Sequence, residues 1–200
     1  MGIKIKYLAL GDSYTIGTGA STPARAWPSI IAERLRHHTG QEVELTNPAV
    51  NGFTTVDLIR RELAEVRRLK PDLVTILIGV NDLVRDIPPD SYRATLVRIY
   101  DEIAKDKAPD GRVFAVSIPN WSVVPAAREY GDPEGIRDLT DSFNDIAREE
   151  AEKRGFGWID ITAASLSGLG TPGWIASDGL HPGDEQYAAW AEVIWHSVRR

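Results

Sequence analysis

Residues 73–82 have the sequence LVTILIGVND, and residues 73–80 form the longest apolar run of the chain. The run Leu73–Ile78 contains no charged residue and consists mostly of branched aliphatic side chains. It is much shorter than the roughly 20 residues that a membrane-spanning helix needs. A run of this length and composition predicts a buried strand that ends at Gly79.

Similar runs recur along the chain, and helical periodicity separates them. Together with residues 73–78, they predict five strands: Ile5–Leu10, Val43–Thr46, Leu73–Ile78, Val113–Ile118 and Phe156–Ile161. Between the strands, apolar residues recur at the spacing of one helix face. The predicted faces are Trp27, Ile30, Ile31 and Leu35; Val56, Ile59, Leu63 and Val66; Tyr92, Leu96, Ile99 and Ile103; Ile136, Leu139, Phe143 and Ile146; and Tyr187, Ala191, Ile194 and Val198.

This strict alternation of strands and helices predicts the fold class. Consecutive strands joined by helices form a parallel sheet with helices on both faces. We therefore predict an α/β protein with a flavodoxin-like three-layer α/β/α sandwich and a five-stranded parallel sheet in the order 2-1-3-4-5. The chain contains no repeat, linker or low-complexity segment, so residues 1–200 are expected to form one domain.

Composition excludes several classes of function. The 200 residues carry a formal net charge of −6 and include no cysteine. An acidic chain repels phosphates, so we expect no nucleic-acid partner and no stable membrane insertion. Disulfides, thiolate nucleophiles and cysteine-ligated metals are excluded, and no histidine or carboxylate cluster has the spacing of a metal site. Residues 1–6 lack a signal-peptide pattern, which predicts a cytoplasmic protein, or a secreted one if a signal peptide has been removed.

Polar clusters follow several of the predicted strands. They have the sequences GDSYTIG at residues 11–17, NPAVNG at 47–52, GVND at 79–82 and DGLHP at 178–182. Ligands of open parallel sheets bind at the carboxyl ends of the strands, where these four segments are expected to meet. The clusters therefore mark the predicted functional site.

The residue types in these clusters suit nucleophilic catalysis. The Ser13 hydroxyl needs a neighbouring base to act as a nucleophile at neutral pH, and His181 can supply it. Asp178, three residues before His181, can orient the imidazole and stabilise its charged form. An oxyanion that develops during the reaction needs preorganised donors, which the backbone N–H groups of Ser13 and Gly52 and the Asn81 amide can provide.

These segments also resemble a known family. Gly11-Asp12-Ser13, Gly52, Gly79-x-Asn81-Asp82 and Asp178-x-x-His181 are similar, in type and order, to the motif blocks of the SGNH (GDSL-type) hydrolases. The resemblance extends over almost the whole chain. Tyr14 is a departure, because leucine often follows the serine in that family.

The resemblance implies a fold, an activity and roles for individual residues. It implies the flavodoxin-like sandwich and a serine esterase without a cofactor. Ser13 would be the nucleophile of a triad with His181 and Asp178, and Ser13, Gly52 and Asn81 would form the oxyanion hole. The implied partner is a small-molecule substrate, which could be an ester, a thioester or an acylated sugar.

Apolar residues near the four clusters are candidates for a substrate pocket. Val80 and Leu83 flank Asn81, Trp121 follows the fourth predicted strand, and Trp174 and Ile175 precede Asp178. Tryptophan serves in core packing as often as in a pocket. The predicted substrate-binding residues are therefore Val80, Leu83, Trp121, Trp174 and Ile175, with core packing as the alternative.

Two alternative interpretations involve the same segments. The hydroxyl-rich stretch Ser13–Thr18 is similar to a flavodoxin phosphate loop, which would suggest an FMN-binding module. An inactive family member could serve as a carbohydrate-binding module.

Asp12 is predicted to cap the turn that follows it and to take no part in proton transfer. The arginines of residues 60–68, interleaved with Glu62 and Glu65, are predicted to form a solvated helix face.

Overall fold

The computed structural model describes residues 4–200, which form a five-stranded sheet with helices packed around it. Every neighbouring pair of strands is parallel, and the strand order is β2-β1-β3-β4-β5. This confirms the predicted fold class and order. The strands are β1 (Lys4–Gly11), β2 (Glu42–Thr46), β3 (Leu73–Leu77), β4 (Arg112–Val116) and β5 (Gly157–Ile159).

The helices alternate with the strands along the chain. They are α1 (Ser13–Ile16), α2 (Trp27–Thr39), α3 (Thr55–Arg61), α4 (Ala64–Leu69), α5 (Val80–Val84), α6 (Pro89–Asp106), α7 (Pro133–Glu152), α8 (Thr162–Leu166) and α9 (Asp184–Val198). Two 3₁₀ turns, Pro23–Arg25 and Pro125–Glu129, complete the regular structure of the described residues. None of the helices within residues 4–200 has the length and hydropathy needed to cross a bilayer.

The core lies between the sheet and two groups of helices. Helix α2 packs against α9 in one group, and α6 packs against α7 and α3 in the other. All five residues of β3 are buried, as expected for the central strand of a covered parallel sheet. The predicted apolar faces of α6 and α9 are likewise fully buried, from Tyr92 to Ile103 and from Tyr187 to Val198 at the predicted positions.

The second predicted helix differs from expectation, because it is two helices. Helix α3 ends at Arg61 and α4 begins at Ala64, with Glu62 and Leu63 between them. Val56, predicted to face the core, is 38% exposed, whereas Leu58 is buried. Leu63 and Val66, after the break, are buried as predicted, so one continuous apolar face does not describe both segments. The break also buries Glu62, as described below.

The carboxyl ends of the strands position three of the four polar segments. Because β1 pairs with both β2 and β3, the loops after these three strands lie side by side on one sheet edge. Helix α1 follows β1 and α5 follows β3, each after a single short turn. The topology therefore brings residues 11–17, 47–52 and 79–82 together at that edge.

Candidate active site

Ser13 lies at the start of α1, immediately after β1. The chain leaves the strand through Gly11, whose φ is +153°. A Cβ at Gly11 would lie 2.2 Å from the Leu77 carbonyl oxygen of β3, so a side chain does not fit there. The buried Asp12 carboxylate caps the helix by accepting a 3.0 Å hydrogen bond from the Tyr14 backbone N–H. The predicted capping role of Asp12 is thus confirmed, and the cap fixes the turn that carries Ser13.

His181 and Asp178 form a hydrogen-bonded pair in the segment before α9. The imidazole Nδ1 lies 2.6 Å from Asp178 Oδ2. The other carboxylate oxygen accepts backbone N–H groups of Leu180 and His181, each at 2.9 Å. Burial alone would raise the pKa of Asp178, but these hydrogen bonds outweigh burial and hold the pKa below its usual value. The carboxylate is therefore ionised at neutral pH, and Nε2 is left as the outward ring nitrogen.

Backbone and side-chain donors lie beside the serine. Within residues 4–200, the backbone N–H groups of Ser13 and Gly52 donate no hydrogen bond to a protein acceptor. Gly52 has φ of +78°, a left-handed conformation that glycine adopts without strain. The Asn81 amide nitrogen donates to the Phe53 carbonyl at 3.0 Å and lies 3.4 Å from Asp12 Oδ2. These contacts tie the loop after β2 to the loop after β3.

A cleft of about 210 Å³ brings together four of the predicted site residues, Ser13, Gly52, Asn81 and His181. Its lining consists of Ser13, Tyr14, Asn51, Gly52, Val80, Asn81, Val84, Trp121, Tyr130, Leu180 and His181. Ser13 is 7% exposed and opens onto this cleft. In the described part of the chain, no hydrogen bond joins the serine hydroxyl to the imidazole. Such contacts are often long in unliganded enzymes and shorten when substrate binds.

Two of the five predicted pocket residues, Val80 and Trp121, line the cleft. The Trp121 indole is nearly buried and donates to the Thr140 hydroxyl at 3.2 Å. This hydrogen bond fixes one aromatic wall of the cleft. Val80, the first residue of α5, adds an aliphatic surface beside Asn81.

The structure does not bring Leu83, Trp174 or Ile175 into the cleft. Leu83 is on the opposite side of the short helix α5 from Asn81 and lines a second cavity. The Trp174 indole is buried and donates to the Ser165 carbonyl at 3.0 Å. Ile175 forms an antiparallel bridge with Pro182 and lines a third cavity. Closeness in sequence to Asn81 or Asp178 therefore does not predict that a side chain lines the cleft.

Comparison with known proteins identifies the family. The sequence profile of the GDSL-like lipase/acylhydrolase family matches residues 9–189. The chain belongs to this family. The enzyme class predicted from the sequence, a carboxylic ester hydrolase of GDSL type, is thereby confirmed.

Named relatives and solved structures agree with this assignment. The hydrolase is 30% identical over 191 residues to a Vibrio mimicus arylesterase, covering 94% of this chain and 86% of the relative. It is 24% identical over 196 residues to the esterase TesA of Pseudomonas aeruginosa, covering 96% and 87%. A lipase/acylhydrolase structure from Enterococcus faecalis has a TM-score of 0.76 and 27% identity, covering 98% of this chain and 95% of that one.

The cleft of the hydrolase is also lined by Tyr14, Asn51 and Tyr130, which are not among the residues predicted from the sequence. Tyr14 contacts His181 edge to face, with ring centroids 6.1 Å apart. Its place directly after Ser13 is a signal that could have identified it. Asn51 could have been identified in the same way, because it directly precedes Gly52. Tyr130 lies far from every motif, and nothing in the sequence marks it. Arg85 donates to the Gly52 carbonyl at 2.7 Å and so supports the glycine from outside the cleft.

Buried carboxyl groups lie behind Ser13 in the hydrolase. Glu62 was predicted on a solvated helix face, but its side chain is fully buried, which corrects that prediction. Its Oε2 accepts the Gly11 backbone N–H at 2.9 Å, and its Oε1 has no partner in the described residues. Burial raises the pKa of Glu62 to about 8 and that of Asp12 to about 7. Repulsion by Asp12 adds to the shift of Glu62, and repulsion by Asp82 adds to the shift of Asp12.

We expect Glu62→Gln to stabilise the hydrolase at alkaline pH. The pKa of Glu62 is about 8 in the folded protein, against 4.5 for a glutamate exposed to water. As pH rises, the unfolded chain therefore loses this proton at a lower pH than the folded protein does. Between these two pKa values the free energy of unfolding falls as pH rises toward 8. Glutamine keeps an acceptor for Gly11 and does not ionise. Urea unfolding at pH 5 and pH 9 measures the free energy of unfolding of Glu62→Gln relative to the wild type. This difference should favour the variant more at pH 9 than at pH 5, by roughly 2–4 kcal/mol.

Glu65→Gln provides the matched control for this measurement. Glu65 belongs to the neighbouring helix α4 and pairs with Arg68 at the surface. Surface pairs contribute little to stability, so this variant should follow the pH dependence of the wild type. Parallel pH profiles for wild type and Glu62→Gln would contradict a protonated, buried Glu62.

Proposed function

We propose that this chain is a serine esterase that hydrolyses small carboxylic esters through an acyl-enzyme intermediate. The observation that carries the proposal is that His181, hydrogen-bonded to Asp178, lines the same cleft as Ser13. A nucleophile, a base and a group that orients the base are the three parts this mechanism needs. Family membership supports the same class of reaction.

In the acylation step, Ser13 Oγ attacks the ester carbonyl carbon while His181 Nε2 accepts the hydroxyl proton. Negative charge then develops on the carbonyl oxygen. The backbone N–H groups of Ser13 and Gly52 and the Asn81 amide donate to that oxygen. The tetrahedral intermediate collapses as the bond to the alcohol oxygen breaks, and His181 gives its proton to the departing alcohol.

In the deacylation step, water replaces the alcohol. His181 Nε2 accepts a proton from the water as its oxygen attacks the acyl carbon on Ser13. The same three donors hold the second oxyanion. Collapse breaks the bond to Ser13 Oγ, returns the proton to the serine and releases the carboxylic acid. Asp178 stays ionised throughout and stabilises the imidazolium in both steps.

The cleft supports a substrate with a small, neutral acyl group. Its volume of about 210 Å³ is below the roughly 300–1,000 Å³ that is typical of ligand sites. Val80, Val84, Trp121 and Leu180 give it apolar walls that suit a short alkyl chain. Because a relative is named an arylesterase, aryl esters such as p-nitrophenyl esters are suitable first substrates.

An FMN-binding module has less support than an esterase. In a phosphate loop, the hydroxyls after β1 would have to face the ligand. The Thr15 hydroxyl is fully buried and directed at the Leu10 and Leu77 carbonyls, at 3.4 and 3.5 Å. A flavin would also give no task to the pair of Asp178 and His181. An inactive carbohydrate-binding protein would likewise have no need for that pair.

A labelling and turnover experiment tests the proposal. The protein should hydrolyse p-nitrophenyl acetate and butyrate faster than the palmitate ester. A fluorophosphonate should abolish this activity, and mass spectrometry should locate the phosphonyl group on the peptide that contains Ser13. Modification of another serine with loss of activity, or full activity with Ser13 modified, would contradict the proposed mechanism.

A further inference from the structure

A second cavity adjoins the catalytic cleft. It has a volume of about 380 Å³ and extends between α5 and the start of α7. Val84 and Tyr130 line both the cleft and this second cavity. The two residues therefore form the boundary between the two spaces. No role has so far been given to the second cavity or to Tyr130.

Tyr130 is held at this boundary by few contacts. It follows the 3₁₀ turn Pro125–Glu129, and half of its surface is exposed. Its ring meets the Trp121 ring edge to face, with centroids 5.6 Å apart and an interplanar angle of 76°. In the part of the chain that the structure describes, its hydroxyl makes no hydrogen bond. Removing the side chain therefore leaves no buried polar group unpaired.

The second cavity has an apolar floor. Leu83 and Ile136 are each 5% exposed and lie at its base, and Leu139 is 38% exposed. The exposed carboxylates Asp86, Glu129 and Asp132 form its outer part. An alkyl chain that passed Tyr130 would bury methylene groups against the leucines and the isoleucine. Removal of such groups from water would favour its binding.

We propose that Tyr130 determines acyl-chain length by closing the catalytic cleft at its boundary with the second cavity. Short acyl groups fit between Ser13 and the Tyr130 ring. A longer chain meets the ring and has to remain partly in water. Each added methylene then contributes less to the binding free energy. The inference rests on the proposed esterase function, with Tyr130 as a specificity-determining residue of the same site.

The test compares Tyr130→Ala with the wild type on p-nitrophenyl esters from acetate to decanoate. Opening the boundary should raise kcat/KM for the octanoate ester relative to the butyrate ester by about tenfold, the effect of burying roughly two more methylene groups. Tyr130→Phe keeps the ring and should retain the wild-type preference. Val123→Ala is the matched control, because Val123 is exposed on the same segment and lines neither cavity.

Binding of straight-chain fatty acids, from butyrate to decanoate, supplies a second measurement that needs no turnover. Calorimetry should show the same tenfold relative gain for octanoate in Tyr130→Ala. An unchanged chain-length preference in both measurements would overturn the role of Tyr130, and so would an equal shift in Tyr130→Phe. If neither the wild type nor any variant hydrolysed an ester while Tyr130→Ala still shifted the chain-length preference in fatty-acid binding, the esterase proposal would fail and the boundary role would stand.

Discussion

Ser13→Ala is expected to lower kcat for p-nitrophenyl butyrate hydrolysis by about 10⁴–10⁶-fold. Alanine removes the hydroxyl that forms the acyl-enzyme, and water has to attack the ester directly. The donors at Gly52 and Asn81 remain, so a residual rate above the uncatalysed reaction should persist. His181→Ala should cause a loss of similar size, because the nucleophile then lacks its base. The release of p-nitrophenol under substrate saturation measures each effect.

Two further variants separate loss of the mechanism from loss of the fold. Ser177→Ala changes an exposed serine that lines the third cavity, next to Asp178 but outside the cleft, and should retain wild-type turnover. Asp178→Asn should cost less than Ser13→Ala, because the members of a triad do not contribute equally. Circular dichroism should show native structure in every variant. A Ser13→Ala protein within tenfold of the wild type would refute Ser13 as the nucleophile.

The positions of the strands were predictable because each strand leaves a local signature, whereas their order came from the flavodoxin-like fold that the alternation of strands and helices predicts. An uncharged run such as residues 73–78 stays out of water only in a covered strand, and the neighbouring helix faces repeat at 3.6-residue spacing. The Asp178–His181 pair was predictable for the same reason, since a spacing of three residues within one turn can place a carboxylate beside an imidazole. Local spacing thus carried both predictions.

Long-range contacts explain what the sequence did not reveal. Glu62 is flanked by arginines and resembles a surface residue, but the break between α3 and α4 turns it toward Gly11, 51 positions earlier. Trp174 lies four residues before Asp178, yet its indole is anchored to Ser165 instead of facing the cleft. Tyr130 reaches the cleft only because the segment after β4 folds back over it. None of these contacts has a periodic or motif signal.

Asn81→Ala is expected to lower kcat by about 10²–10³-fold, which corresponds to roughly 3–4 kcal/mol of transition-state stabilisation. The amide would donate to the oxygen only after it becomes an oxyanion. KM should therefore change little, because the ground-state ester gains less from that donor. A loss that appeared mainly in KM would indicate that Asn81 shapes the cleft and does not stabilise the oxyanion.

A structural explanation for the same loss can be tested through Arg85. The Asn81 amide also donates to the Phe53 carbonyl, so its removal loosens the loop that carries Gly52. Arg85 holds the same loop from the other side, through the Gly52 carbonyl at 2.7 Å, without lining the cleft. If Asn81 acted only by holding the loop, Arg85→Ala should lower kcat to a similar extent. If Asn81 donates to the oxyanion, Arg85→Ala should cost less than about tenfold, because it leaves all three donors in place.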